Sequence, residues 1–248
     1  MSQVASWLAE LEKRHLANLT RAELTRALRA LSSVYVERRE KIAGGAALDS
    51  AGKRAAFGLF YGPLHFLTVD AVVRAVGANR PSIATIVDLG CGTGVGGAAW
   101  ALACERSPRL RGIDRNAWAV AEANWTWNQL GLRGRATTGD IRNHSITRSP
   151  DHPILLAYCV NELPEAQRPA LLEKMAAAAG HGVSFLIVES IARRDKAWWP
   201  EWAARLTGLG ARADEWRFPA DLPPMLAQIA RSAGLDPREL TARTLFKP

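Results

Sequence analysis

Cysteine is scarce in this sequence, which argues against a scaffold held together by disulfide bonds. The 248 residues contain three cysteines, Cys91, Cys104 and Cys159, an odd set without a C-x-x-C pair. Disulfide frameworks use even sets of cysteines, and zinc sites use clustered ligands. We therefore expect three reduced thiols and no metal centre.

A long apolar segment and a secretory signal are also lacking. No apolar run approaches the roughly 20 residues that a membrane-spanning helix needs. The N-terminal stretch places Glu10, Glu12, Lys13 and Arg14 among its apolar residues, so it lacks the apolar core of a secretory signal. Mean hydropathy is −0.08. These features predict a soluble, cytoplasmic protein without a membrane partner.

The charge balance is strongly positive. The chain has 32 lysine and arginine residues against 24 aspartate and glutamate residues, a net charge of +8. Its isoelectric point is about 9.9. Because the arginines are spread along the chain, this balance permits a nucleic-acid partner without requiring one.

The first 80 residues are predicted to form a helical cap. Apolar residues recur at helical spacing between residues 7 and 31. Thr20 and Glu23 form a capping box, which marks a helix start. Residues 32–39 are predicted to continue that helix, and residues 42–50 to form a loop.

Residues 54–76 are predicted to form two helices separated by a break at Gly62-Pro63. The aromatic side chains of this segment, including Tyr61, have two interpretations. They pack in a core, or they form a lid over a ligand of the following domain. His65 has the same two interpretations.

After Pro81 short apolar runs alternate with helical segments. This alternation is typical of βαβ units, in which helices cover both faces of a parallel sheet. We place the domain boundary here, with domains 1–80 and 81–248. The predicted strands are 83–87, 110–113, 135–138, 154–160, 183–188, 215–218 and 240–246, and the predicted helices are 95–104, 118–130, 165–179, 198–209 and 222–233.

Polar side chains end the first five predicted strands. They are Asp88, Asp114, Asp140, Asn161-Glu162 and Glu189. Doubly wound sheets bind ligands beyond the carboxyl ends of their strands. These side chains therefore predict the rim of a ligand site.

The turn after the first strand is rich in glycine. Gly90, Gly92 and Gly94 occupy alternate positions, a spacing that differs from the G-x-G-x-x-G of dinucleotide-binding turns. Asp88 would be unfavourable beside a pyrophosphate but suits the ammonium group of a methionine moiety. The turn therefore favours S-adenosylmethionine over a dinucleotide.

Two further acids fit the same ligand. Asp114 lies about twenty residues downstream of the turn, where a carboxylate takes two ribose hydroxyls. Asp140 is placed to accept the adenine amine, with Ile141 against the ring. Together the three acids predict a nucleoside that carries an amino acid and no phosphate.

Three motifs resemble those of class I S-adenosylmethionine-dependent methyltransferases. They are Val-Asp-Leu-Gly-Cys-Gly-Thr-Gly at 87–94, Gly-Ile-Asp-Arg-Asn at 112–116 and Thr-Gly-Asp-Ile at 138–141. The resemblance implies a Rossmann-like, doubly wound α/β sheet of seven strands, the last antiparallel, with the N-terminal helical cap. The predicted cofactor-binding residues are Asp88, Gly90, Cys91, Gly92, Gly94, Asp114, Arg115, Asp140, Ile141 and Tyr158.

A narrower resemblance rests on three short stretches. Leu31-Ser32-Ser33-x-Tyr35, Gly62-Pro63 and the run 157–164 are similar to the methyltransferase-like family associated with the mitochondrial small ribosomal subunit and its bacterial relatives. Mitochondrial members carry a C-terminal cysteine cluster for an iron–sulfur centre. This chain has no cysteine after Cys159, so no such centre is expected. The resemblance implies small-subunit ribosomal RNA as the methyl acceptor.

The catalytic candidates follow the fourth strand. Methyl transfer from a sulfonium chiefly requires alignment of donor and acceptor, and a base only where the acceptor's pKa demands one. Tyr158 and Tyr61 are candidates for cation–π contact with the sulfonium. Glu162 has a helix-capping role as its alternative. The catalytic candidates are Glu162, Tyr158 and Asn161, with Glu189 and His65 as alternative bases.

Three functions remain open from the sequence. RNA methylation is favoured by the charge and by Trp198, Trp199 and Trp202, which either stack on unpaired bases or pack a helix. Methylation of a small molecule is favoured by the aromatic cap. A non-catalytic ribosome assembly factor is the third, and the intact glycines and acids argue against it.

Overall fold

A computed structural model gives the fold, and it describes residues 3–37, 48–144, 149, 151–191 and 197–248. The helices are α1 (Gln3–Leu16), α2 (Arg21–Glu37), α3 (Ala51–Ala56), α4 (Gly62–Val76), α5 (Val95–Ala103), α6 (Ala117–Gln129), α7 (Arg168–Gly180), α8 (Trp199–Thr207) and α9 (Pro224–Ala233). The strands are β1 (Thr85–Leu89), β2 (Arg109–Asp114), β3 (Gly134–Thr138), β4 (Ile154–Ala157), β5 (Phe185–Glu189), β6 (Arg212–Pro219) and β7 (Glu239–Lys247).

The chain divides into two units. The helical unit comprises Met1–His65 and Phe218–Leu240, and the sheet unit comprises Phe66–Arg217 and Thr241–Pro248. This division differs from the predicted boundary at residue 80. The reason is that α9 returns to the N-terminal helices, where the Arg29 side chain donates hydrogen bonds to the carbonyls of Ser232 and Ala233.

The capping box at the start of α2 is confirmed. The Thr20 N–H donates to Glu23 Oε2 at 2.8 Å, and the Glu23 N–H donates to Thr20 Oγ1 at 3.2 Å. The helix is described as far as Glu37. The predicted continuation over residues 38–39 and residues 42–47 of the predicted loop lie outside the described residues.

The predicted break at Gly62-Pro63 is wrong. A single π-helical turn, Phe57–Tyr61, joins α3 to α4, and the Gly62 N–H donates to the carbonyl of Phe57, five residues back. A proline clashes with the carbonyl four residues before it in a regular α-helix. The wider π turn changes the hydrogen-bond register just before Pro63, so the helix continues.

The continuous helical stretch Ala51–Val76 is long and apolar enough to cross a membrane by length and composition alone. Within its most apolar window, 61% is buried inside the protein. Such burial is typical of a core helix in a folded protein.

The sheet has seven strands in the order β3-β2-β1-β4-β5-β7-β6. Strands β1 to β5 pair in parallel, and β7 runs antiparallel to β5. The predicted seven-stranded sheet with an antiparallel last strand is confirmed. The strand order reverses at β1, which is where doubly wound sheets bind ligands.

Helices cover the two faces of the sheet differently. On one face, called the α5–α6 face, Gly112 and Gly134 lie against Trp127 of α6. On the other, the α7–α8 face, Val87 and Leu89 belong to one buried apolar cluster with side chains of α7 and α8. Alternate residues of β2 and β3 therefore point to opposite faces.

Two predicted elements differ from the observed ones because of local backbone restrictions. Strand β4 ends at Ala157 and not at Val160, since Tyr158 adopts a positive φ of 58°, which turns the chain into a short 3₁₀ helix, Val160–Glu162. Helix α9 begins at Pro224 and not near Asp221. Pro223 is held extended, as expected for a residue that precedes a proline.

The indole of Trp127 fills a space that three glycines leave open. Added Cβ atoms on Gly94, Gly112 and Gly134 would lie 2.7–2.9 Å from atoms of this ring. Trp127 is fully buried, and its Nε1–H donates to the carbonyl of Gly94 at 2.8 Å. Helix α6 is thereby attached to the turn between β1 and α5.

We predict that Trp127→Phe lowers the free energy of unfolding by about 2–4 kcal/mol, because it removes the buried indole hydrogen bond to the Gly94 carbonyl, which keeps only the Ala98 N–H as donor, and opens a small cavity. Chemical denaturation measures the change. Trp125→Phe, at a partly exposed position of the same helix, is the control and should cost less than about 1 kcal/mol. Equal losses in the two variants would contradict the role given to Trp127.

Candidate active site

The glycine turn after β1 requires its glycines. Gly90, Gly92 and Gly94 have φ values of 71°, 51° and 77°, a region that L side chains rarely adopt. A Cβ on Gly90 would also lie 2.6 Å from the Cβ of Cys159. The backbone therefore passes close to β4 here and leaves the space above it to a ligand.

Asp88 lies beneath this turn. It is 1% exposed, and its Oδ2 accepts the N–H of Gly97 at 3.0 Å, near the start of α5. Burial raises the pKa of Asp88 to about 7; the charge of Asp114 adds to the rise, and the Gly97 N–H opposes it. The predicted contact of Asp88 with an ammonium group stays a prediction, while its observed role is to hold α5 against β1.

Asp114 links the turn to the next helix. Its Oδ2 accepts the N–H of Gly92 at 2.9 Å, and its Oδ1 accepts the N–H of Asn116 at 2.8 Å. Asn116 in turn caps α6 through its side-chain oxygen. The carboxylate therefore sits at the carboxyl end of β2 with its position set from two sides, as the predicted ribose contact requires.

Asp140 is paired with a residue that the sequence analysis did not identify. Arg142 Nε donates to both carboxylate oxygens of Asp140, at 2.8 and 2.7 Å, and the Arg142 N–H donates to Oδ1 at 2.9 Å. These bonds lower the pKa of Asp140. A ligand amine that donates a hydrogen bond to Asp140 must therefore share this carboxylate with Arg142.

A cavity of about 150 Å³ lies above the carboxyl ends of β1 to β4 and is open to solvent on one side. Its apolar wall includes the buried side chain of Ile141. The lining residues are Gly90, Asp114, Arg115, Gly139, Asp140, Ile141, Arg142, Cys159, Glu162, Leu163, Pro164 and Gln167.

Glu162 is the predicted catalytic residue that reaches this cavity. Burial raises the pKa of Glu162 to about 8; the charges of Asp114 and Glu189 add to the rise, and Arg115 opposes it. Beside it, the Cys159 thiol donates to the carbonyl of Leu89 at 3.2 Å. At neutral pH the Glu162 carboxyl therefore carries a proton in the absence of a cationic ligand.

Tyr158 and Asn161 lie outside the cavity lining. The Tyr158 hydroxyl is hydrogen-bonded to Thr68, and burial raises its pKa. The Asn161 N–H donates to Glu189 Oε1 at 3.2 Å, and its side-chain oxygen accepts the Trp198 indole N–H at 3.3 Å. These contacts shape the turn that carries Glu162, and direct catalytic roles for Tyr158 and Asn161 stay predictions.

Tyr61 and His65 belong to an aromatic group of the helical unit. The Tyr61 hydroxyl is hydrogen-bonded to Ser32 at 2.8 Å, and its ring packs against Phe60 and His65. Burial lowers the pKa of His65 to about 4, so this side chain is neutral at physiological pH. Their position supports the core interpretation, and the lid interpretation stays a prediction.

The three tryptophans near α8 mainly pack the core. Trp198 and Trp202 are 6% and 1% exposed and meet edge to face. Trp199 is partly exposed, and the guanidinium of Arg243 lies 5.1 Å from its ring centre. Because two of the three rings are buried, the structure favours the helix-packing interpretation over the base-stacking one.

The cofactor residues predicted from the motifs divide into two groups. Gly90, Asp114, Arg115, Asp140 and Ile141 line the cavity, whereas Asp88, Cys91, Gly92 and Gly94 are not among its lining residues. Sequence reasoning missed Arg142, Cys159 and Gln167. Their shared signal is position, since all three follow the carboxyl ends of β3 or β4.

The cavity fits S-adenosylmethionine in its chemistry. Asp114 and Glu162 offer acceptors for hydroxyl groups and acidic surroundings for a cation, and Ile141 offers an apolar surface for a base. Gly90 lines the cavity, and the absence of a side chain there allows the turn to pass close to Cys159. Among the described residues no group of three metal-ligating side chains is present.

Comparison with known proteins supports this assignment. Residues 86–182 match a family described as methyltransferase domain. The mitomycin 7-O-methyltransferase MmcR has a similar structure, with a TM-score of 0.53, 17% identity, and 96% of this chain and 71% of that chain covered. Magnesium protoporphyrin IX methyltransferase (ChlM) from Synechocystis PCC 6803, solved with bound S-adenosylmethionine, has a TM-score of 0.50, 15% identity, and coverages of 94% and 99%.

At these identities the structural likeness shows the fold. A comparison with curated proteins gives no match. The match identifies residues 86–182 as a methyltransferase domain, and the surrounding sheet has the class I methyltransferase fold, which supports an enzyme with S-adenosylmethionine as its cofactor. The narrower resemblance to the small-ribosomal-subunit family receives no support from these matches.

We predict that Asp114→Ala weakens S-adenosylmethionine binding at least tenfold, because it removes the acceptor for the ribose hydroxyls and for the Gly92 N–H. Isothermal titration calorimetry measures the affinity, and a melting curve checks that the variant is folded. The exposed Asp221→Ala should bind like wild type. An unchanged affinity of Asp114→Ala would show that this carboxylate does not contact the cofactor.

We also predict that Glu162 contributes to the pH dependence of stability, together with Asp88, whose pKa is raised as well. An acid with a raised pKa binds more protons in the folded than in the unfolded state, so stability falls as pH rises from the ordinary pKa of 4.5 towards about 8. Glu162→Gln should make this fall shallower. For a protein of this length, each kcal/mol of unfolding free energy that the variant regains at high pH raises its melting temperature by about 2–4 °C.

Melting curves of the cofactor-free protein between about pH 5 and about pH 8 test this dependence. The exposed Glu105→Gln is the control and should keep the wild-type slope. A Glu162→Gln slope equal to that of wild type would show that Glu162 ionises normally in the folded protein.

Proposed function

We propose that this protein transfers the methyl group of S-adenosylmethionine to RNA. The observation that carries the proposal is the charge at the mouth of the cavity. Among the lining residues, the two that are largely exposed to solvent are both arginines, Arg115 and Arg142. Arg142 is ion-paired with Asp140, so Arg115 supplies most of the positive charge at the mouth. Guanidinium groups bind phosphate through paired hydrogen bonds, so the mouth suits a phosphate-bearing acceptor.

The inner part of the cavity has the opposite charge. Asp114 and Glu162 are only partly exposed, and Glu189 near them is 2% exposed. Acidic groups inside favour a cationic donor, whereas arginines outside attract an anionic acceptor. The net charge of +8 acts in the same direction over longer range.

The residues of the chain supply alignment and proton control. When bound, S-adenosylmethionine supplies a methyl group on an activated sulfonium carbon. Asp114 and the glycine turn fix the position of the nucleoside, which is the main protein contribution in a displacement of this kind. Glu162 holds a proton at neutral pH, and it accepts one from the acceptor only after a cationic ligand or a higher pH has ionised it.

The test is a transfer assay with tritiated S-adenosylmethionine on total RNA, small ribosomal subunits and a metabolite extract in parallel. We expect label in RNA, and small-subunit RNA is the species that the narrower sequence resemblance implies. Asp114→Ala should reduce incorporation at least tenfold, which separates enzymatic transfer from background. Label found only in the metabolite fraction would contradict the proposal and show that the methyl acceptor is a small molecule.

A further inference from the structure

One part of the α7–α8 face lies beneath the connection from β3 to β4, whose described part contains no helix. Helices α5 and α6 join β1 to β2 and β2 to β3 across the α5–α6 face. Since β4 lies on the far side of β1, right-handed connections place the link from β3 to β4 on the α7–α8 face. The described part of that link, residues 139–144, 149 and 151–153, contains no helix.

The exposure of β2 and β3 reflects this difference between the faces. On the α5–α6 face Leu110 and Ala136 are 1% and 4% exposed. On the α7–α8 face Arg109, Arg111 and Arg135 are exposed. The sheet edge therefore presents an open face of arginines beside α7.

The register brings these arginines together. Arg111 is the direct partner of Arg135 in the parallel pairing of β2 and β3. Neighbouring strands lie about 4.8 Å apart, and Arg109 and Arg111 are about 6.6 Å apart along their strand. Like charges at such positions destabilise a sheet. No ion pair joins any of the three to a carboxylate in the described parts of the chain.

Two more basic groups connect this face to the mouth of the cavity. Arg111 and Lys174 are the charged groups that act on His144. Lys174 Nζ donates to the carbonyl of His144 at 3.5 Å and also to the carbonyl of Arg142. The basic surface thus runs from Arg135 and Arg111 through Lys174 to Arg142.

We propose that Arg109, Arg111 and Arg135, here called the arginine face, bind the phosphate backbone of the RNA acceptor and lead it to the cavity mouth. This inference rests on the proposed function. RNA fits because its phosphates form a continuous row of charges, and contacts to them require no base sequence. An exposed sheet surface can follow such a row, and these three guanidiniums form no ion pair among the described residues that would compete with phosphate.

The test compares two triple variants of the full chain. R109Q/R111Q/R135Q removes the arginine face, and R26Q/R106Q/R231Q removes the same charge at exposed positions elsewhere. Fluorescence anisotropy with a labelled single-stranded oligoribonucleotide measures binding over a salt series. The face variant should bind at least tenfold more weakly. Its salt slope should fall by about 2, since each phosphate contact on a single strand contributes about 0.7.

Three further measurements keep the test decisive. Calorimetry with S-adenosylmethionine should give wild-type affinity for both triple variants, and the single variants R111Q and R135Q should show intermediate losses of RNA binding. Equal RNA affinity of the two triple variants would overturn the inference. Binding of the face to phosphatidylserine vesicles but not to RNA would overturn it as well.

The experiments distinguish a failure of the proposed RNA methylation from a failure of the proposed RNA binding by the arginine face. If RNA binds through the arginine face but receives no methyl group, the arginine face stands and the proposed RNA methylation fails. If RNA is methylated and the face variant keeps wild-type affinity and rate, the proposed function stands and the arginine face fails.

Discussion

A buried hydrogen bond between the Trp127 indole and the Gly94 carbonyl holds together the part of the sheet unit that forms the cofactor site. The ring has room because Gly112 and Gly134 present no side chain towards it. With α6 attached to the turn in this way, Asp114 can accept N–H groups from the turn and from the start of α6. The position of the Asp114 carboxylate, for which we predict the ribose contact, thus depends on the packing of a tryptophan behind it.

The second organising constraint is a separation of charge across the cavity. Acidic groups lie inside, where burial raises the pKa of Asp88 to about 7 and that of Glu162 to about 8. A cationic ligand stabilises their ionised forms, so ligand charge and proton release are linked. The exposed arginines at the mouth, Arg115 and Arg142, favour an anionic ligand instead. The arginine face continues this positively charged surface along the sheet edge.

Much of the fold and part of the site could be predicted because the relevant signals are local. Alternating apolar runs and helical periods indicated the parallel sheet, and the spacing of Gly90, Gly92 and Gly94 indicated a ligand turn. Other features depend on contacts or backbone angles that no periodicity shows. The positive φ of Tyr158 ends β4 early, and the π turn before Pro63 replaces a break. The pairing of Arg142 with Asp140 depends on the path of a loop.

The sequence by itself determined the class of ligand, because three acids at strand ends and a glycine turn without pyrophosphate spacing are compatible with few cofactors. Only the tertiary structure decided which of these residues line the cavity. It placed Asp88 behind the turn and Glu162 in the cavity, and it brought Arg111 beside Arg135 from strands far apart in the chain. The physical reason is that burial and charge proximity depend on distance in space, which strand order and register set.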